Sequence, residues 1–264
     1  MLQKNAPIGV VDSGVGGLSV VLELQKVLPD EDIIYFGDTA NCPYGNKSND
    51  ELLLLSSHML RFLQEKGAKC IALACNTTSA LADTLRTCVS LPIITVAECA
   101  ADAIASMGLR SVGLIATVST VNSGIYEKRI HAITPQVKVC SVGSVKLASL
   151  VENRRDREQE VDAEIRYCMD ALLSQGDVNG VILGCTHYPL VLENFLRCYP
   201  HITYIDPAPH QAKSVKAFLT QENAQNVPHK ATLTIYTTGP VENFRDACAK
   251  NGLCDKYKLN IIHV

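Results

Sequence analysis

The sequence predicts an α/β fold with parallel sheets, and three observations carry that prediction. Short, continuous apolar runs rich in β-branched residues recur along the chain, and such runs read as strands buried on both faces. Stretches of helical length separate them, closed by Gly or Pro. The chain also makes one statement twice. Leu73-Ala74-Cys75-Asn76-Thr77-Thr78-Ser79 and, much later, Leu183-Gly184-Cys185-Thr186-His187-Tyr188-Pro189 each place a cysteine, then small polar residues, directly after an apolar run. Regular alternation of strand and helix implies parallel sheets. The repeated ending implies two pseudo-symmetric αβα domains, each with a cysteine at the carboxyl end of a strand, where open α/β sheets carry their chemistry. The active site is then expected in the interdomain cleft.

Taken in order, a strand is expected at 8–11, and Asp12-Ser13-Gly14-Val15-Gly16-Gly17 turns it into a helix at 18–28 that Pro29 ends. The glycines leave backbone N–H groups free at a helix start, an expected site for a phosphate or carboxylate. The spacing G-x-G-G fits a dinucleotide fingerprint poorly. Asp12 beside those groups is expected to hold a cation such as an ammonium. A strand at 32–36 leads into the turn-rich loop Gly37 to Gly45, of a kind that carries binding groups on rigid sheets. A helix follows at 48–66, with Leu52, Leu55, Met59, Phe62 and Leu63 on one face. The first cysteine strand, 70–74, precedes a helix at 79–89, a strand at 93–96 and a helix reaching Met107. The cycle restarts with a strand at 111–115, a hydroxyl-rich turn at 116–123, a helix at 124–133, a strand at 137–141 and a loop around Glu152. A charged helix is expected at 157–174, and the mixed-sign run of Arg154, Arg155, Asp156, Arg157, Glu158 and Glu160 reads as a solvated face. Beyond the second cysteine strand come helices at 190–198 and 210–221 around a short strand at 204–206. A polar linker at 222–230, a strand at 231–237 and a helix at 241–250 complete the expected fold. The natural breaks fall near Ala97 and Pro207.

Composition limits the function. With 47% hydrophobic residues, 19% charged and a net charge of −3, the chain has no basic excess to neutralise a phosphate backbone, so nucleic acid is not an expected partner. No apolar run approaches membrane-spanning length and the start lacks a signal peptide's regions, so a cytoplasmic location and no membrane association are expected. The eleven cysteines form no C-x-x-C pair, which leaves a structural metal site without support; most lie in apolar surroundings and read as reduced core residues. Only Cys75, Cys185 and Cys42 have neighbours that suggest more.

Two cysteines on separate strands suit neither of the usual thiol chemistries well. Disulfide exchange wants a C-x-x-C helix start, and a single nucleophile with His187 as its base leaves the resemblance between the two strand ends unexplained. Inversion at a carbon explains it. A proton leaves one face while another arrives on the opposite face, so two equivalent acid/base groups must flank the carbon. Asp12 beside Cys75 and His187 beside Cys185 would orient the sulfurs, and Asn76, Thr77 and Thr186 would bind a carboxylate and stabilise developing negative charge. Neither a pyridoxal phosphate lysine nor a metal constellation stands out, so no cofactor and no metal are expected.

The blocks VDSGVGGLSV, GDTANCPYG, ACNTTSA and GCTHYPL, in this order, closely resemble the glutamate racemase branch of the cofactor-independent Asp/Glu racemase superfamily. The resemblance runs along the whole chain. It implies reversible conversion of L-glutamate to D-glutamate for peptidoglycan, with Cys75 handling the α-proton of the D-enantiomer and Cys185 that of the L-enantiomer. Substrate contacts carry over to Asp12, Ser13, Tyr44, Gly45, Asn76, Thr77, Thr186 and His187, with Thr117, Thr120 and Glu152 lining the cleft from the second domain. It further implies a homodimer. It also implies a first domain, 1–97, completed by 208–264 around a second domain, 98–207. Asn41 departs from a common arginine and Thr78 from a common alanine. The long extension that accompanies activation by a nucleotide precursor in some relatives is absent before the first block, so no such activation is expected. Two other readings remain: racemisation of aspartate or another acidic amino acid, and a non-catalytic module binding a nucleotide at the glycine turn, against which the lack of a Walker lysine counts.

Overall fold

In the computed structural model, which describes residues 2–152 and 157–264, the chain forms two all-parallel sheets with helices on both faces of each. The element order is β1 (Ile8–Asp12), α1 (Leu18–Val27), β2 (Ile33–Gly37), α2 (Asn49–Glu65), β3 (Cys70–Leu73), α3 (Asn76–Ser79), α4 (Ala82–Leu85) and β4 (Ile93–Thr95). Next come α5 (Val96–Met107), β5 (Ser111–Thr117), α6 (Val118–Asn122), α7 (Ile125–Ile133), β6 (Lys138–Ser144), α8 (Leu147–Glu152), α9 (Glu158–Leu173), β7 (Val181–Gly184), α10 (Leu192–Cys198) and β8 (Tyr204–Ile205). The chain ends with α11 (Ala208–Gln221), β9 (Thr232–Thr237), α12 (Val241–Lys250), α13 (Leu253–Lys256) and β10 (Lys258–His263). Arg154, Arg155 and Asp156 of the expected charge run lie outside the described residues.

The first sheet has the order β10-β9-β2-β1-β3-β4 and the second β6-β5-β7-β8, so the last two strands return to the sheet built by the first four. Every pairing is parallel; β1, for example, sets Ile8 to Asp12 against Ile33 to Gly37 on one side and Ile8 to Val11 against Cys70 to Leu73 on the other. The apolar runs do what their composition demands: β1, β2, β3 and β7 are buried along their whole length. One face of the first sheet packs Leu18, Val21 and Leu24 of α1 with Val215 and Leu219 of α11, and the other packs Leu52, Met59 and Leu63 of α2. The second sheet is covered likewise, by Ile165, Met169 and Leu172 of α9 on one face and by Ile104 and Ile130 of α5 and α7 on the other.

Helix starts follow local chemistry. Ser48 caps α2 in a reciprocal capping box with Glu51, and Thr95 caps α5 through the Glu98 N–H, arrangements each worth about 1 kcal/mol. At the amino end of the first sheet, Lys69 and Glu31 form a fully buried pair at 2.5 Å. Lys69 Nζ also donates to the Lys4 and Ala224 carbonyls, and Glu31 accepts from the Asn226 N–H, which ties the 222–230 segment to the sheet.

Four expectations are corrected. The helix expected at 79–89 is two short pieces, α3 and α4, beginning directly after Cys75. The hydroxyl-rich turn at 116–123 contains α6, capped by Thr117, and the loop expected around Glu152 is α8. The fold does not finish at α12: β10 adds a sixth strand beside β9.

Candidate active site

Carboxyl ends of strands from both sheets meet, and the predicted residues lie on them. Asp12 closes β1 and Ser13 follows it; Cys75 stands between β3 and α3; Thr117 closes β5; Cys185, Thr186 and His187 follow β7. Polar contacts cross between the halves at several points. Thr186 Oγ1 lies 3.4 Å from each oxygen of Asp12, and Thr77 Oγ1 is 3.1 Å from Thr117 Oγ1 and 3.3 Å from Thr120 Oγ1. The two turns also touch through glycines. A Cβ on Gly16 would stand 2.5 Å from Thr186 Oγ1, and one on Gly45 would stand 3.0 Å from Thr117 Cβ, so side chains there would push the halves apart.

Asp12 is buried, and its Oδ2 accepts from the Gly17 N–H at 3.0 Å and the Gly14 N–H at 3.3 Å. The turn therefore does not offer those N–H groups to an external anion, contrary to the sequence expectation: the chain's own carboxylate occupies them. Burial raises the Asp12 carboxyl above the ordinary range, opposed by the charge of His187 and by the backbone donors. The Tyr35 hydroxyl donates to the Gly14 carbonyl at 2.6 Å and braces the same turn.

Both sulfurs are almost sealed, Cys75 at 4% and Cys185 at 7% exposure. Cys75 Sγ lies 4.0 Å from Ser13 Oγ, and Asp12 acts on the sulfur through its charge. Burial first, then that charge, raises the Cys75 thiol to about 11, against relief from hydrogen bonds of Thr78 and Ser13. Cys185 Sγ lies 3.7 Å from His187 Nδ1. Its thiol is pushed higher still by burial, with the His187 backbone N–H lowering it and the charges of Asp12, Cys75 and Glu152 raising it. That Asp12 bears on both thiols, and Cys75 on Cys185, puts the three groups in one electrostatic environment.

Glu152, at the end of α8, brings Oε2 to 4.0 Å from His187 Nε2 and to 3.7 Å from Cys42 Sγ, so it bridges the second half to the loop after β2. Among the described residues, none gives the buried His187 Nε2 a hydrogen-bond partner. The Tyr44 hydroxyl donates to Asp38 Oδ2 at 2.6 Å. Asp38, missed in the sequence, organises this loop, also accepting from Asn41 Nδ2 at 2.9 Å and Thr238 Oγ1 at 2.7 Å. An acid directly after a buried strand was the signal available for it. Beside Gly45 and Thr117 a cavity of about 890 Å³ opens, bounded by Ser144, Lys146, Arg157, Glu160 and Tyr167. Behind Cys185 a void of about 10 Å³, near the size of one water, is walled by Asn76, Thr186 and Asp206.

The family model for Asp/Glu/hydantoin racemases matches residues 8–215, a span that contains Asp12, Cys75, Glu152, Cys185 and His187. This chain belongs to that family. It is 35% identical over 243 residues to glutamate racemase 2 of Caldanaerobacter subterraneus, covering 91% of each chain, and 40% identical over 211 residues to the glutamate racemase of Trichormus variabilis, covering 78% of this chain and 71% of that one. Among solved structures, a glutamate racemase isoform from Bacillus anthracis superposes with a TM-score of 0.91 at 32% identity, covering 99% of this chain and 98% of that one. The Francisella tularensis glutamate racemase in complex with D-glutamate gives 0.90 at 31% identity with the same coverage. The architecture is thus the two-domain α/β fold of these enzymes, and the chain is an amino-acid racemase, an isomerase.

Proposed function

We propose that this racemase interconverts L- and D-glutamate by a two-base mechanism without a cofactor, with Cys75 and Cys185 on opposite faces of the α-carbon. One observation carries the reading: two buried cysteines end strands of different sheets, and those ends are joined by the Asp12–Thr186 and Thr77–Thr117 contacts. A thiolate at Cys75 removes the α-proton of D-glutamate while the Cys185 thiol delivers its proton to the other face; the L-enantiomer reverses the roles. Amide and hydroxyl donors of Asn76, Thr77 and Thr186 hold the substrate carboxylate where negative charge develops. Both thiols are held protonated in the free protein, so ionisation belongs to the substrate-bound state. An ammonium group arriving beside Asp12 offsets the negative charge that raises both sulfurs. His187 at 3.7 Å from Cys185, and Ser13 at 4.0 Å from Cys75, orient the sulfurs. Glu152, 4.0 Å from His187, sets a negative charge beside that ring. Thr117 and Thr120 hold Thr77, and Gly45 shapes the rim.

The reading extends to a domain division at 1–97 plus 208–264 and 98–207. The return of β9 and β10 to the first sheet supports it. With it go a cytoplasmic homodimer and a role in supplying D-glutamate for peptidoglycan, and so in cell shape. Particle mass in solution checks the dimer.

The test is racemisation of purified protein in deuterated water, with glutamate and aspartate compared and with and without added pyridoxal phosphate. Glutamate is expected to racemise faster, at a rate the added cofactor leaves unchanged. Cys75→Ser and Cys185→Ser are each expected to lower racemisation by roughly a thousandfold, the scale of lost acid/base catalysis. Deuterium uptake should fall more for D-glutamate in the first variant and more for L-glutamate in the second. Full activity in either variant, or a preference for aspartate, overturns the proposal.

A further inference from the structure

Helix α7 belongs to none of the sequence blocks, yet it reaches the site. Tyr126, its second residue, is 1% exposed, and its hydroxyl donates to Asn76 Oδ1 across the junction of the two halves. Burial, and the charges of Cys185 and Asp206, raise this phenol far above its ordinary value, so the hydroxyl keeps its hydrogen. A primary amide has an acceptor at one end and two donor hydrogens at the other, and the end engaged by a neighbour decides which end faces away. With Oδ1 engaged, Nδ2 is free, and none of the described residues accepts from it. Thr77, next in the chain, is already pinned by Thr117 and Thr120, so rotation of the amide is the freedom left to Asn76. Helix α7 is itself fixed, because Arg129 Nη2 bonds Asp83 Oδ1 at 2.7 Å and lies 3.2 Å from Glu98 Oε1.

We propose that Tyr126 is a positioning residue, whose hydroxyl locks the Asn76 amide with its N–H bonds aimed at the substrate carboxylate. The inference rests on the glutamate racemase reading above. It makes a donor of the first domain depend on a helix of the second, so the donor is set only when the two are docked. Removing the hydroxyl leaves the ring in its apolar surroundings but lets the amide turn its oxygen toward an anion.

The test compares wild type, Tyr126→Phe, Asn76→Ala and the double variant for kcat/KM in both directions, with thermal midpoints for all four. Tyr126→Phe is expected to lower kcat/KM roughly tenfold or more, as loss of an oriented hydrogen bond to a charged group does. In the Asn76→Ala background the same change is expected to do nothing further, since it acts through the amide. A hydroxyl that serves packing alone would lower activity whether or not the amide is present. Losses that multiply in the double variant, or wild-type kcat/KM in Tyr126→Phe, overturn the proposal. If Tyr126→Phe does not fold, Asn76→Asp tests the same point: it keeps an acceptor for Tyr126 but loses the donors, and undiminished kcat/KM there overturns it. A wild-type protein that does not racemise glutamate overturns the functional reading and this inference together, whereas an active wild type with multiplicative losses overturns this inference alone.

Discussion

Cys75 has to be a thiolate to take a proton, and two neighbours oppose that in the free protein: its apolar burial and the charge of Asp12, which together raise it to about 11. The base form is thus scarce at neutral pH and grows with each step upward. For D-glutamate, kcat/KM is expected to rise between pH 6 and 8, approaching a tenfold gain per unit, the slope of a single ionisation well below its midpoint. A stopped assay at several pH values checks this; a flat or falling profile contradicts it. At this scale the reactive groups were legible in the sequence, because Cys75, Cys185, Asp12 and Thr186 each follow an apolar run that fixes them at strand ends. What was not legible depended on partners distant in the chain. Tyr126 reads as an ordinary helix residue until Asn76 is seen beside it. The glycine turn misled for the opposite reason, a local one: its Gly14 and Gly17 N–H groups are taken up by Asp12, only two and five residues earlier.

Among the elements, the short helices explain themselves through side chains that compete with the backbone. The hydroxyls of Thr78 and Ser79 bond the Cys75 carbonyl at 3.2 and 3.0 Å, which favours a brief turn over the long helix expected at 79–89. Thr117 likewise accepts from the Thr120 N–H at 3.3 Å and so starts α6 where a turn was expected. Strand β10 escaped notice because it is an edge strand, mostly exposed, whose KLNIIH pattern lacks the unbroken apolar character of the buried strands. Contact between the β1–α1 turn and the residues after β7 gives an element-scale prediction. Gly16→Ala puts a methyl 2.5 Å from Thr186 Oγ1 and 3.0 Å from the Thr186 carbonyl carbon, neither of which can yield without moving the turn. Displacement of about 1 Å at the site is expected to cost roughly a hundredfold in kcat/KM. The circular dichroism spectrum is expected to stay native. Kinetics and spectra together check this, and wild-type kcat/KM would refute it.

For the molecule as a whole, cysteine is chiefly a packing residue: all eleven are free, and seven are buried. Burial raises the thiols of Cys75 and Cys168 to about 11 and those of Cys70, Cys99 and Cys248 to about 12, against about 9 for an open chain. The folded form therefore keeps these protons longer than the unfolded one. Their contribution to stability is complete below about pH 9 and is lost as the pH rises through 11 to 12. Urea midpoints are expected to hold from pH 7 to 8.5 and then fall steadily toward pH 11. A midpoint that climbs over that upper range contradicts the burial argument. Two parallel α/β layers were legible because helices wall each sheet, so that its inner strands β1, β2, β3 and β7 are buried along their whole length and read as unbroken apolar runs. The return of the C-terminus to the first sheet was not, since nothing local in β9 names β2 as its neighbour.

That return fixes an order of events during synthesis. Strands β1 to β4 can pair as soon as they leave the ribosome, but the far side of β2 has no partner until residues 232–237 have been made. Through all that time a buried, wholly apolar strand stands at an open border of a half-built sheet, the kind of border that recruits strands from other chains. The nascent protein is thus most prone to aggregate while its second layer is being translated, and a pause there is more hazardous to yield than one after β9 has docked.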